Sequence, residues 1–186
     1  TVVATMRDPD GRNRDVADEL KSRGGHIVEI DVTEDKRVES GVAKAIKAAG
    51  HIDTVVNNAG MGVSGLQEAF TINDWQSLFD LNVFGVQRVN RAILPHLRER
   101  KSGLLIHVSS LLGRFVLPFI GPYNASKYAL EAMAENYRVE LSALGIESVI
   151  VEPGGFGTDF GKNPLKASDT SRAATYGQLA EGPDKQ

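Results

Sequence analysis

Ile52-Asp53-Thr54-Val55-Val56-Asn57-Asn58-Ala59-Gly60 joins a short β-branched run to four small or polar residues. A run of this length, bounded by turn-forming residues, reads as a buried strand. Upstream, Thr33 caps a helix running to about Gly50, and His26-Ile27-Val28-Glu29-Ile30 is another strand. Before it lies a helix over 14–23 with apolar Val16, Ala17 and Leu20, closed by Gly24-Gly25. The chain opens on a β-branched strand over residues 1–6, followed by the turn Asp8-Pro9-Asp10-Gly11. Downstream, Asn73 caps a long helix to about Lys101, and 104–108 is a strand ending in Ser109-Ser110. A further helix opens at Gly121-Pro122, where a first turn tolerates proline, and reaches about Leu144. The last clear strand, 148–151, ends in Glu152-Pro153-Gly154.

Strands alternating with helices predict parallel βαβ units in an α/β, doubly wound sheet of Rossmann type, as a single domain over 1–186. In such sheets ligands bind beyond the carboxyl ends of the strands. Arg7, Asp31, Asn57 to Gly60, Ser110 and residues 153–158 all fall at those ends, and so predict one crevice. Past Phe160 the chain turns polar and rich in Ser, Ala, Gly and Lys, so 154–186 is expected to be a mobile loop region with some helix.

With 186 residues the chain is long enough to bury a sizeable core. A net charge of -3 gives no basic footprint for nucleic acid. The absence of cysteine excludes disulfides and thiolate metal sites, and no metal centre is expected. No run of 18 apolar residues is present to span a membrane, and the first residues lack a signal-peptide pattern, so the expected location is cytoplasmic.

Tyr123 and Lys127 stand four apart and share a face of their helix. A phenol titrates near ~10, and an ammonium beside it lowers that value, which makes the pair a usable proton-transfer device. The spacing alone is common in helices with no such role. Gly60-Met61-Gly62-Val63-Ser64-Gly65 matches G-x-G-x-x-G, but residues 66–72 separate it from the next helix, so it is a coincidental match.

In this order, Asn57-Asn58-Ala59-Gly60, Asn82, Ser110, Tyr123-x-x-x-Lys127 and Pro153-Gly154 resemble the short-chain dehydrogenase/reductase family, from Thr1 to about Phe160. Ser110 precedes Tyr123 by thirteen positions, as the family's catalytic serine does. The resemblance implies Tyr123 as acid and base, Lys127 lowering its pKa and binding the nicotinamide ribose, and Ser110 holding the substrate oxygen. Asn82 would anchor a water that links Lys127 to solvent. For the cofactor it implies Asp31 and Val32 at the adenine, and Asn57, Ala59 and Gly60 under the adenosine ribose. Pro153, Phe156 and Thr158 would hold the nicotinamide carboxamide. Arg7, following Met6 where NAD users place an acid, implies NADP(H) preference with NAD(H) possible, because a guanidinium forks onto phosphate.

The resemblance also implies a secondary alcohol or ketone as substrate. An apolar one, as in the hydroxysteroid and retinol type, is suggested by the apolar residues between Ser110 and Tyr123, with Leu117 as the favoured liner. Residues 154–186 would form the substrate loop, and the helices 73–101 and 121–144 the face of a homodimer or homotetramer. Two departures stand out: the family's Thr-Gly-x-x-x-Gly-x-Gly loop with its βα unit has no counterpart here, nor do the final helix and strand. The sheet is therefore expected to be open at its middle. A non-catalytic dinucleotide-binding protein on the same fold, or an inactive fragment, are the alternatives.

Overall fold

Every strand pairing is parallel, as the alternation of elements predicts. The computed structural model describes residues 1–185, so Gln186, the last residue of the expected domain, lies outside the described residues. In chain order the main elements are β1 (Val3–Met6), α1 (Arg14–Ser22), β2 (His26–Glu29), α2 (Asp35–Ala49), β3 (Thr54–Asn57) and β4 (Val63–Ser64). They continue with α3 (Ile72–Phe79), α4 (Gly85–Arg100), β5 (Gly103–Val108), α5 (Gly121–Leu141), β6 (Ile146–Val151), β7 (Leu165–Lys166) and α6 (Thr170–Ala174).

The strands form a β1–β2 pair, a three-stranded sheet in the order β3–β5–β6, and a small β4–β7 pair. Between β1 and β3 runs a slot of about 660 Å³, walled by these two strands and by Val42, Val86 and Ile93. The sheet is thus open at its middle, as expected. Leu105 and His107, two apart on β5, are both fully buried, whereas Leu104 and Ile106 on the other face are only half-buried. Leu105 packs with Ile93, Leu94 and Leu97 of α4, Leu141 of α5 and Val38 and Val42 of α2 in the main core. A second cluster gathers Val63, Phe70, Leu78 and Tyr123.

Three local expectations are corrected. Thr33 does not cap α2: its N–H and hydroxyl both donate to Asp31 Oδ1, at 3.0 and 2.7 Å, and Glu34 takes the cap position. Thr71, rather than Asn73, caps α3, through a capping box with Asp74. The long helix over 73–101 is not uniform. Asp80–Phe84 is a π-turn, with the Gly85 N–H reaching Asp80 O, that separates α3 from α4.

Residues 165–182 carry β7, α6 and a 3₁₀ stretch. They are tied back by Arg172 Nη1 to Glu68 Oε1 at 2.7 Å, by the Tyr176 hydroxyl to Glu68, and by the Ser168 hydroxyl to Asp74 at 2.7 Å. Among the described residues no helix is long and apolar enough to cross a membrane.

Candidate active site

Helix α5 positions the two central groups. Tyr123 is 7% exposed and Lys127 5%, and the Lys127 Nζ lies 5.6 Å from the centroid of the tyrosine ring. Nζ donates to Val108 O at 2.8 Å, at the carboxyl end of β5. Burial depresses the Lys127 pKa to about 8, with the Glu131 carboxylate acting in the opposite sense. Burial raises the phenol of Tyr123, and the adjoining Ser110 hydroxyl lowers it. Ser110 is buried at the start of the turn after β5, where its Oγ accepts from the Leu112 N–H at 3.1 Å.

Asn82 sits in the π-turn and is 1% exposed. Its Oδ1 accepts from Met61 N–H at 2.9 Å, while its Nδ2 donates to Met61 O at 3.0 Å and to Ser126 Oγ at 3.1 Å. The Ser126 hydroxyl in turn donates to Tyr123 O at 2.8 Å. The Asn82 side chain therefore fastens the loop after β3 to α5. Gly60 makes this approach possible: a Cβ there would stand 3.3 Å from Asn82 Oδ1 and 3.9 Å from Lys127 Nζ.

At the ends of β1 and β2, Arg7 Nη1 lies 3.8 Å from Asp31 Oδ2, and the Arg7 side chain is 54% exposed. Burial pushes the Asp31 carboxyl up, but the Thr33 donors, with Arg7 and Arg37, bring it below its ordinary value. Val32 packs on Gly85, where a Cβ would come within 2.8 Å of Val32 Cγ2, and Val32 O accepts from Arg88 Nη1 at 3.3 Å. Asn57 turns its side chain inward: Nδ2 donates to Asn90 Oδ1 at 2.9 Å and lies 3.5 Å from His107 Nδ1. A nucleotide would therefore meet its backbone rather than its amide. Ala59 and Gly60 lie in the loop that follows β3.

Pro153 O accepts from the Leu111 N–H at 3.1 Å, joining the end of β6 to the Ser110 turn. Phe156 and Thr158 follow in an exposed loop, joined by a Thr158 N–H to Phe156 O bond of 2.8 Å. Leu117 is 47% exposed, and its carbonyl accepts from Asn124 Nδ2 at 3.0 Å. Phe160 places its ring centroid 5.8 Å from that of Tyr123. No spacing rule points to Phe160, which lies in a single 3₁₀ turn over Asp159–Gly161. Ser126 and Glu131 also went unassigned, although both lie within one helical turn of Lys127.

The fold and these groups define a Rossmann-type α/β protein with serine, tyrosine and lysine gathered beyond the strand ends. Residues 1–168 match the short chain dehydrogenase family model. The chain belongs to that family. It is 35% identical over 172 residues to the uncharacterized oxidoreductase YusZ of Bacillus subtilis, covering 88% of this chain and 59% of that protein. It is 34% identical to retinol dehydrogenase 8 of Bos taurus, covering 91% of this chain and 54% of the relative. Among solved structures it is similar to a gluconate 5-dehydrogenase from Burkholderia cenocepacia in complex with NADP and tartrate. That likeness has 27% identity and a TM-score of 0.77, over 85% of this chain and 62% of the other. The chain thus spans between half and two thirds of the length of these relatives.

Proposed function

We propose that this chain carries the proton-transfer centre of an NAD(P)(H)-dependent oxidoreductase that interconverts a secondary alcohol and a ketone, with NADP(H) preferred. The observation that carries this reading is the buried pair on one face of α5, Tyr123 with Lys127 Nζ 5.6 Å from its ring. In the reducing direction Tyr123 gives its phenolic proton to the carbonyl oxygen, and in the oxidising direction the phenolate takes it back. Lys127 favours the phenolate by its charge. Ser110 donates to the substrate oxygen as negative charge develops there. Asn82 holds the loop after β3 against α5 and completes the route from Lys127 toward solvent.

The donor set at the crevice fits a nicotinamide dinucleotide. Arg7, exposed at the end of β1, is free to swing from Asp31 onto a ribose 2′-phosphate, and Asp31 offers an acceptor to the adenine amino group. Ala59 and Gly60 would allow close approach at the ribose, and Pro153, Phe156 and Thr158 would hold the nicotinamide carboxamide. The reduced cofactor, when bound, supplies the hydride.

An apolar substrate is supported by Leu117, Phe156 and Phe160, all exposed around the mouth, and by the likeness to a retinol dehydrogenase. We also propose a homodimer or homotetramer through α4 and α5, and a cytoplasmic location. Leu130 and Leu141 cannot serve that interface, since both are buried in the chain's own interior, and Tyr137 turns inward to Gln87 and His107. The large outward apolar residues of α5 are Tyr128 and Val139.

The test is NADPH consumption with a panel of apolar ketones. Tyr123→Phe is expected to lower turnover by about 10²- to 10⁴-fold. A variant that kept the wild-type rate would remove the reading.

A further inference from the structure

Among the described residues, two formally charged side chains are buried, Lys127 and Glu131. They stand four apart on α5, so they share a face. A carboxylate that is only 3% exposed is costly unless it is partnered. Glu131 Oε1 accepts from the Ser109 hydroxyl at 2.7 Å. Arg114 Nε stands 2.6 Å from Oε2, not in line for a hydrogen bond, and 2.9 Å from Glu152 Oε1. Gly113 lets the turn close over this carboxylate: a Cβ there would meet Glu131 Oε1 at 2.3 Å and Ser109 Oγ at 2.9 Å. Ser109, Gly113 and Arg114 flank or lie in the turn that carries Ser110.

We propose that Glu131 is a positioning residue of this site: its buried carboxylate clamps the Ser110 turn onto α5 and holds Lys127 in its charged form. The inference rests on the reading of Tyr123 and Lys127 as the proton-transfer pair. The buried ammonium carries a desolvation cost, and a fixed negative charge one helical turn away offsets part of it. The groups facing this carboxylate from the packed elements are few. They are Lys127 on α5 and Arg114 on the turn, and Arg114 in turn feels Glu152 after β6 and Glu135 on α5. Asn82, from the π-turn, does not titrate.

The experiment follows the Lys127 side-chain carbon by NMR across a pH titration of the full chain, with no cofactor and no turnover required. The wild-type midpoint is expected near 8. Glu131→Gln is expected to lower it by about one pH unit, the size of a lost opposite charge at this range. Ser109→Ala, which removes the clamp but keeps the charge, is expected to leave the midpoint in place. An unchanged midpoint in a folded Glu131→Gln protein would overturn the proposal.

Should Glu131→Gln not fold, Glu131→Asp, which draws the charge back by one methylene, is expected to lower the Lys127 midpoint by a smaller step, and an unchanged midpoint there would again overturn the proposal. A merely structural role for Glu131 would leave the Lys127 titration in place. The ketone assay with Tyr123→Phe reads the underlying reaction separately, so failure of one is distinguishable from failure of the other.

Discussion

On one side of the slot, β5 is paired to β6 along six residues and to β3 along four, under buried Leu105 and His107. On the other side, β1 and β2 pair along four residues, and β1 turns its free edge to the slot. Tyr123, Lys127 and Ser110 belong to the first side, and Arg7 and Asp31 to the second. The groups proposed to transfer the proton are therefore held by a closely packed scaffold, while the groups that would choose a nucleotide sit on a smaller one. The two sides meet through α2 and α4 and through Arg88, whose guanidinium lies 2.6 Å from both Asp35 Oδ1 and Asp80 Oδ1.

The sharpest way to break this comparison is truncation on each side. Leu105→Ala is expected to cost about 2–5 kcal/mol by urea denaturation, because it empties a closed core. Thr5→Ala, exposed to the slot on β1, is expected to cost under about 1 kcal/mol. Equal costs would mean that the slot is as tightly packed as the core.

Acid tests the packed side next. Burial depresses the His107 pKa from 6.5 to about 4. The unfolded chain therefore binds the extra proton in this window, and stability is full above about 6.5 and lost as pH falls toward 4. The loss amounts to about 3 kcal/mol. A His107→Gln variant, compared with wild type by denaturation at several pH values, is expected to flatten that slope. An identical slope in both would place the acid sensitivity elsewhere.

The smallest expected effect is on the open side. Arg7→Ala is expected to lower the NADPH-to-NADH preference by about tenfold, equivalent to about 1.4 kcal/mol. Stability should move by less than about 1 kcal/mol, since the exposed Arg7–Asp31 pair contributes little. An unchanged preference would move cofactor selection away from Arg7.

How much of this was legible in the sequence depends on where the signal lay. The five main strands and the helices between them could be read because β-branched runs and helical spacing are local patterns. The slot between β1 and β3 could be expected only from the resemblance, since no local pattern announces a gap between strands. The β4–β7 pair could not be read, since two residues on each side carry no periodicity. The π-turn escaped for a related reason: one residue inserted into a helical run has no period of its own. Tyr123 and Lys127 were visible as a spaced pair within one helix. The inward turn of Asn57 was not, because its partners Asn90 and His107 lie far along the chain and only the packed sheet brings them together.

The π-turn at Asp80–Phe84 has a mechanical consequence. It holds one residue more than an α-helix would use there, and each residue turns a helix by about 100°. The rod formed by α3 and α4 is thus geared, with its two ends out of phase. Leu78 at one end meshes with Tyr123 and the smaller cluster, while Ile93 and Leu97 at the other mesh with the sheet. One continuous rod serves two separate cores, and Asn82, at the gear change, is the residue turned toward the loop that both cores border.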